Sequence, residues 1–133
     1  MKFVINDTKT GKSYSKEVEA DKVQALLGKR IRDEFDGGII DLPGYKLKIT
    51  GGSDKNGFPM RLGVHTQTRK GILIAGGVGF NPKITGQRRR KSVHGDTIGS
   101  NVAQLNCSVQ KPGKQKIDEI FGAPKDEAAK EKK

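Results

Sequence analysis

Val102-Ala103-Gln104-Leu105-Asn106-Cys107-Ser108-Val109 decides the fold. Val102, Leu105, Cys107 and Val109 nearly alternate with polar residues, the two-residue period of a strand with one buried face. Cys107, in the middle, reads as a small buried hydrophobe. Working back toward the N-terminus, the same kind of short segment recurs. Ser92-Val93 and Ile72-Leu73-Ile74 read as strands, the latter set between Gly71 and Gly76. Residues 60–66 read as extended. Residues 45–50 and Ile39-Ile40 read as strands turned by Pro43-Gly44. Residues 1–5, with Phe3 and Ile5 on one face, pair with 13–18 as a hairpin around a polar turn at 7–12. Helical spacing occurs twice. Val23, Leu26, Leu27 and Ile31 follow Asp21 as N-cap, with Gly28 weakening the helix and Asp36-Gly37-Gly38 stopping it. Ile117, Ile120 and Phe121 mark a short helix over 114–121, ended by Gly122. Many short strands with Gly-rich turns predict a mainly β fold: a small closed or partly open β-barrel with one or two short helices. Residues 1–122 make one domain. The Ala, Lys and Glu of 123–133 make a flexible C-terminal tail.

Composition narrows the function. At 133 residues and 32% hydrophobic content the chain suits one domain with a small core. Its formal net charge of +11 calls for a polyanionic partner. The single cysteine rules out an intrachain disulfide and fits a reducing, cytoplasmic setting. No apolar run approaches the length of a membrane span.

The charge is unevenly placed. Residues 55–95 carry nine Lys and Arg and no acid, while the flanking segments are nearly balanced. Like charges repel, so an acid-free block is tolerated where something outside the protein neutralises it. The block is also rich in glycine, which lets backbone N–H groups approach a phosphate chain. Gln87-Arg88-Arg89-Arg90-Lys91-Ser92 is its sharpest feature. Guanidinium groups bind phosphate bidentately and stack on exposed bases, which favours RNA over a solvated loop or a localisation tract. His65-Thr66-Gln67-Thr68-Arg69-Lys70 mixes hydroxyl, amide and cationic groups suited to phosphate and ribose. Lys55, Arg61, Lys83 and His94 complete the predicted RNA-binding set. With two Tyr, five Phe and no Trp, stacking platforms are scarce, which points to structured RNA gripped by backbone and shape.

Other chemistries fit poorly. Ser92, His94 and Asp96 lie in series along one strand, whereas catalytic triads converge from separate segments. His65, His94, Asp96 and Cys107 lack paired metal-ligand spacing, so no metal is expected. Gly76-Gly77-Val78-Gly79 lacks the Gly-Lys-Ser/Thr ending of a phosphate-binding loop. No cofactor and no small-molecule substrate are expected.

Ile49-Thr50-Gly51-Gly52-Ser53-Asp54-Lys55-Asn56-Gly57-Phe58-Pro59-Met60 closely resembles the signature of the archaeal and eukaryotic small-subunit ribosomal protein family S6e. The resemblance continues through Arg61-Leu62-Gly63-Val64, Gly76-Gly77-Val78-Gly79-Phe80 and Gly86-Gln87-Arg88-Arg89-Arg90-Lys91-Ser92-Val93, and less strictly through Leu105-Asn106-Cys107. It implies a β-barrel-like domain on small-subunit ribosomal RNA, beside neighbouring ribosomal proteins, without catalysis or cofactor. It makes 87–92 the basic loop and 51–60 a structural loop. Within that loop Gly51, Gly52 and Gly57 permit turns, Pro59 sets a rigid exit, and Asp54 caps backbone donors. Eukaryotic members extend into a basic C-terminal helix bearing phosphoserines. This chain has no serine after Ser108, so that regulation is not carried over and the form resembles the short archaeal one. The expected role is therefore a ribosomal structural protein. An extra-ribosomal nucleic-acid-binding module is the alternative.

Overall fold

A computed structural model describes residues 1–121. The N-terminal hairpin joins β1 (Lys2–Asp7) to β2 (Lys12–Glu17) in antiparallel register, Lys2 opposite Glu17 and Asp7 opposite Lys12. Gly11 closes its turn at φ +71°, a conformation that side chains avoid. The central strand is β7 (Val102–Lys111). It pairs in parallel with β1 and antiparallel with β4 (Lys46–Asp54), which in turn pairs with the three-residue β3 (Glu34–Asp36). The result is a five-stranded sheet in the order β2-β1-β7-β4-β3.

A bulge sits in β4. Ile49 faces Cys107 but Gly51 faces Asn106, so Thr50 is the extra residue, its hydroxyl donating to the Asn106 carbonyl at 3.1 Å. Past the bulge, Gly52 runs so close to β7 that a Cβ there would lie 2.4 Å from the Gln104 carbonyl oxygen.

The core lies on one face of this sheet. Phe3, Ile5, Leu47, Ile49, Leu105 and Cys107 are fully buried against Leu26, Ile40, Leu42 and Ile98. Burial pushes the Cys107 thiol up to about 12. Two short helices, α1 (Ala20–Val23) and α2 (Ile117–Phe121), add Val23 and Ile117 to this core. Tyr14 of β2 stacks on Phe121 with ring centroids 5.4 Å apart, and its hydroxyl donates to Asp118.

A second ladder stands apart: β5 (Arg69–Ile74) pairs antiparallel with β6 (Arg89–His94), Arg69 opposite His94 and Ile74 opposite Arg89. It has its own small core of Ile74, Phe80 and Val93, flanked by Val64 and Ile72.

The sheets do not close, so the expected barrel is replaced by an open sheet with a separate hairpin. The two edge strands, β2 and β3, do not pair, and β3 is only three residues long before it runs into a 3-10 turn, Gly37–Ile40. The link from β4 to β6 is a single bridging step through Pro59 and Met60, and proline has no N–H to extend a ladder.

Other expectations shift locally. The helix expected from Asp21 to Ile31 stops at Val23 and passes into a 3-10 turn, Gln24–Leu26. Asp21 sits inside its first turn, not at the N-cap, which is Glu19. Gly28 at φ +87° ends the helical path, Leu27 is left exposed, and Ile31 N donates instead to the Asp96 carbonyl at 3.0 Å. Ile39-Ile40 belongs to the 3-10 turn, not a strand. Gly37 is packed so tightly there that a Cβ would meet Leu42 O at 2.5 Å. Only Met60 of residues 60–66 forms a bridge, since Gly63 turns the chain at φ +94°. The C-terminal helix starts at Ile117, later than Lys114. Gly122 and the tail at 123–133 lie outside the described residues. No helix among the described residues is long and apolar enough to cross a membrane.

Candidate nucleic-acid interface

The acid-free block folds as the β5–β6 hairpin and its approaches. Residues 89–91, expected in a loop, are the first half of β6. Strand alternation therefore sends Arg89 and Lys91 to one face and Arg90 to the other. Arg90 lies over Gly71, where a Cβ would stand 3.7 Å from its Cγ and Cδ. Lys70, Lys83, Arg88, Arg89 and Arg90 are exposed and Lys91 is half-buried. Among the described residues none of these six forms an ion pair, although five ion pairs occur elsewhere. Their charge is left to solvent along one hairpin.

Other members of the predicted set are occupied inside the protein. Arg69 Nε lies 3.3 Å from Asp54 Oδ2, and its guanidinium stacks 4.8 Å from the Phe58 ring centre. With the Asn56 amide turned to face it, the same guanidinium also donates to Asn56 Oδ1 at 2.9 Å. Asp54 Oδ1 accepts from the backbone N–H of Asn56 at 2.8 Å and of Phe58 at 2.9 Å. The structural loop is thus wrapped around Arg69, fastening the end of β4 to the start of β5. Gly57 completes the loop at φ +87°. Lys55 is exposed near the base of the hairpin, with its backbone N–H on the Asn101 carbonyl.

Arg61 Nη1 donates to the carbonyls of Gly76 at 3.2 Å and Val78 at 2.8 Å, pinning the long loop between β5 and β6. His94 is fully buried, its Nδ1 against Gly95 O and its Nε2 without a partner, so it presents no surface to a ligand. His65 is exposed, with Nδ1 3.0 Å from the buried Asp96 carboxylate. Thr66 and Thr68 share a hydroxyl contact at 3.1 Å beside the exposed Gln67. Ser92 is exposed on β6 opposite Gly71.

The geometry thus gathers Lys70, Lys83, Gln87 and residues 88–92 on one hairpin and sets Lys55, Arg61 and Arg69 at its root. Two groups escape a reading by residue type. Asp96 lies outside the basic block yet orients His65, and Asn81 stands beside Lys83. The acid-free boundary hid the first. The Asn81-Pro82 pair, a loop signal, hid the second. Ser92, His94 and Asp96 do not assemble a catalytic group: His94 points into the core and Ser92 outward. No cluster of three or more His, Cys, Asp or Glu among the described residues is placed to hold a metal.

Removing the Asp54 carboxylate should loosen the hairpin at its root. Asp54→Ala takes the carboxylate from the partly buried N–H groups of Asn56 and Phe58 and strips Arg69 of its anion, costing about 2 kcal/mol. Urea denaturation measures this, and Asp54→Asn, which keeps one acceptor, should lie between. A midpoint equal to the parent's removes Asp54 from this role.

The family model described as ribosomal protein S6e matches residues 1–122. Similar proteins named small ribosomal subunit protein eS6 occur in several archaea. That of Methanosphaerula palustris is 46% identical over 92% of this chain and 93% of its own length. That of Archaeoglobus fulgidus is 48% identical over 90% and 94%. The Methanothermobacter thermautotrophicus protein is 48% identical over 92% and 95%. A match over residues 1–122, with relatives at 46–48% identity over nine-tenths of the chain, settles its kinship: the chain belongs to the ribosomal protein S6e family.

Proposed function

We propose that this protein is a structural constituent of the small ribosomal subunit, held there by ribosomal RNA against the β5–β6 hairpin. It acts by binding, not by catalysis, and works on the ribosome in the cytoplasm. The supporting observation is the set of cations on this hairpin, the exposed Lys70, Lys83, Arg88, Arg89 and Arg90 and the half-buried Lys91, which find no acid partner among the described residues. Such a surface lowers its free energy by displacing counterions from RNA phosphates. The names of the archaeal relatives agree with this role. Leu73 and Ile84, exposed on the same hairpin and its loop, suit contact with neighbouring ribosomal proteins.

Sucrose-gradient sedimentation of a lysate tests the assignment. The protein should travel with small subunits at about 0.1 M salt and leave them as salt rises. A protein that stays at the top of the gradient at low salt, or follows other nucleic acid, defeats it.

A further inference from the structure

Within the basic surface one place is concave and built. A groove of about 320 Å³ opens between β6 and the loop that precedes it. Its floor is Phe80, packed on Ile74 and Val93. Gly79, at φ +96°, lies so near that a Cβ would stand 2.8 Å from Val93 Cγ1. The Arg61 clamp on Gly76 and Val78 fixes the near end of the loop. Gln87 fixes the far end, its Oε1 accepting from Lys83 N at 3.1 Å. This bond spends the Gln87 carbonyl and leaves its NH2 as a donor. Asn81 and Lys83 form one wall, and Arg89 and Lys91, two residues apart on one strand face, form the other. No carboxylate lines the groove.

Volume and chemistry limit the occupant. The space is at the lower end of small-molecule sites, which start at roughly 300 Å³, and cannot admit a duplex. Three cations ask for a phosphate. Two neutral amides, each able to pair with a base edge, are superfluous for a phosphate alone. A duplex backbone would instead meet the convex, exposed Arg88 and Arg90.

We propose that this groove takes one unstacked ribonucleotide from the bound RNA. Lys83, Arg89 and Lys91 hold its phosphate, while Asn81 and the Gln87 amide meet its base. The inference rests on the RNA-binding reading above and adds to it a preference for RNA with an extruded nucleotide.

Two RNA stems separate the possibilities: one fully paired, the other identical but carrying a single bulged 2-aminopurine. Fluorescence anisotropy at about 0.1 M salt should show the parent protein binding the bulged stem about tenfold more tightly, with a change in 2-aminopurine emission. The double variant Asn81→Ala with Gln87→Glu keeps the Oε1 tie to Lys83 and loses the amide donors. It should bind both stems alike, with its thermal midpoint unchanged. The ratio between stems is the readout, and Asn81→Ala alone, which adds no charge to the groove, should narrow it as well. Equal binding of the two stems by the parent, or a preference that survives in the variant, overturns the groove proposal while the RNA-binding reading stands. Failure to bind either stem overturns both.

Discussion

Replacing Arg88, Arg89 and Arg90 together with alanine should flatten the slope of log affinity against log salt by roughly 2 to 2.7, and weaken RNA binding at about 0.1 M salt by about two orders of magnitude. The slope follows from three phosphate contacts at roughly 0.7–0.9 each. The affinity loss follows from about 1 kcal/mol for each solvent-exposed charge contact. Alternation on β6 makes the three independent. Arg89 and Arg90 leave opposite faces, and Arg88 stands just before the strand. None is spent on an internal ion pair among the described residues, so the fold should keep its thermal midpoint. Lys9→Ala, in the β1–β2 turn, is the control and should leave the slope unchanged. Filter binding across a salt series gives both numbers. A slope unaltered in the triple variant sinks the claim that this stretch of β6 carries the contact.

Gly95→Ala should be the most damaging single substitution in the hinge between hairpin and sheet, costing more than about 4 kcal/mol. Gly95 directly follows β6, and a Cβ there would lie 1.8 Å from the Thr66 carbonyl oxygen and 2.5 Å from its carbon. Those are backbone atoms, and they cannot retreat. Gly95 N donates to Thr68 O at 3.1 Å, Asp96 N to Val64 O at 2.8 Å, and Thr66 N to Val64 O at 3.0 Å. The crossing is therefore locked on both sides, and an added methyl must break one of these bonds or push the hairpin off the sheet. Gly38→Ala is the comparison, because its Cβ would meet nothing within 4 Å. It should shift stability by under about 1 kcal/mol. Urea denaturation checks both, and amide exchange along 64–68 should accelerate in Gly95→Ala. A Gly95→Ala protein as stable as the Gly38→Ala one would show that the crossing yields.

Much of this was legible in the sequence, for physical reasons that differ by element. Strand character at 102–109 and at 72–74 is written in alternation and in β-branched residues, and both segments are strands. The sheet's openness is not written there. Closure depends on whether the edge strands β2 and β3 meet, a long-range matter that local alternation does not encode. Helical spacing from Val23 to Ile31 gave way because residues 28–31 bond to 96–98, a tertiary choice that local periodicity does not register. For the candidate interface, the acid-free block located the hairpin, but residue type alone could not separate free cations from employed ones. Arg69 and Arg90 look equivalent in the chain. Folding gives the first a carboxylate, an amide and an aromatic ring, and leaves the second to solvent.

The parallel pairing of β1 with β7 has a bearing on biosynthesis. Lys2 aligns with Gln104 and Asn6 with Ser108, so the first strand made has its partner among the last. At roughly 5–20 residues per second, β1 waits about 5–20 s for that partner to be translated. Contacts this distant in sequence also slow the search once the whole chain is available. The β5–β6 hairpin needs only near neighbours and is complete earlier. Nascent chains therefore display their polycationic arm before the platform that carries it exists, and early engagement of RNA by that arm would shield it while the sheet assembles.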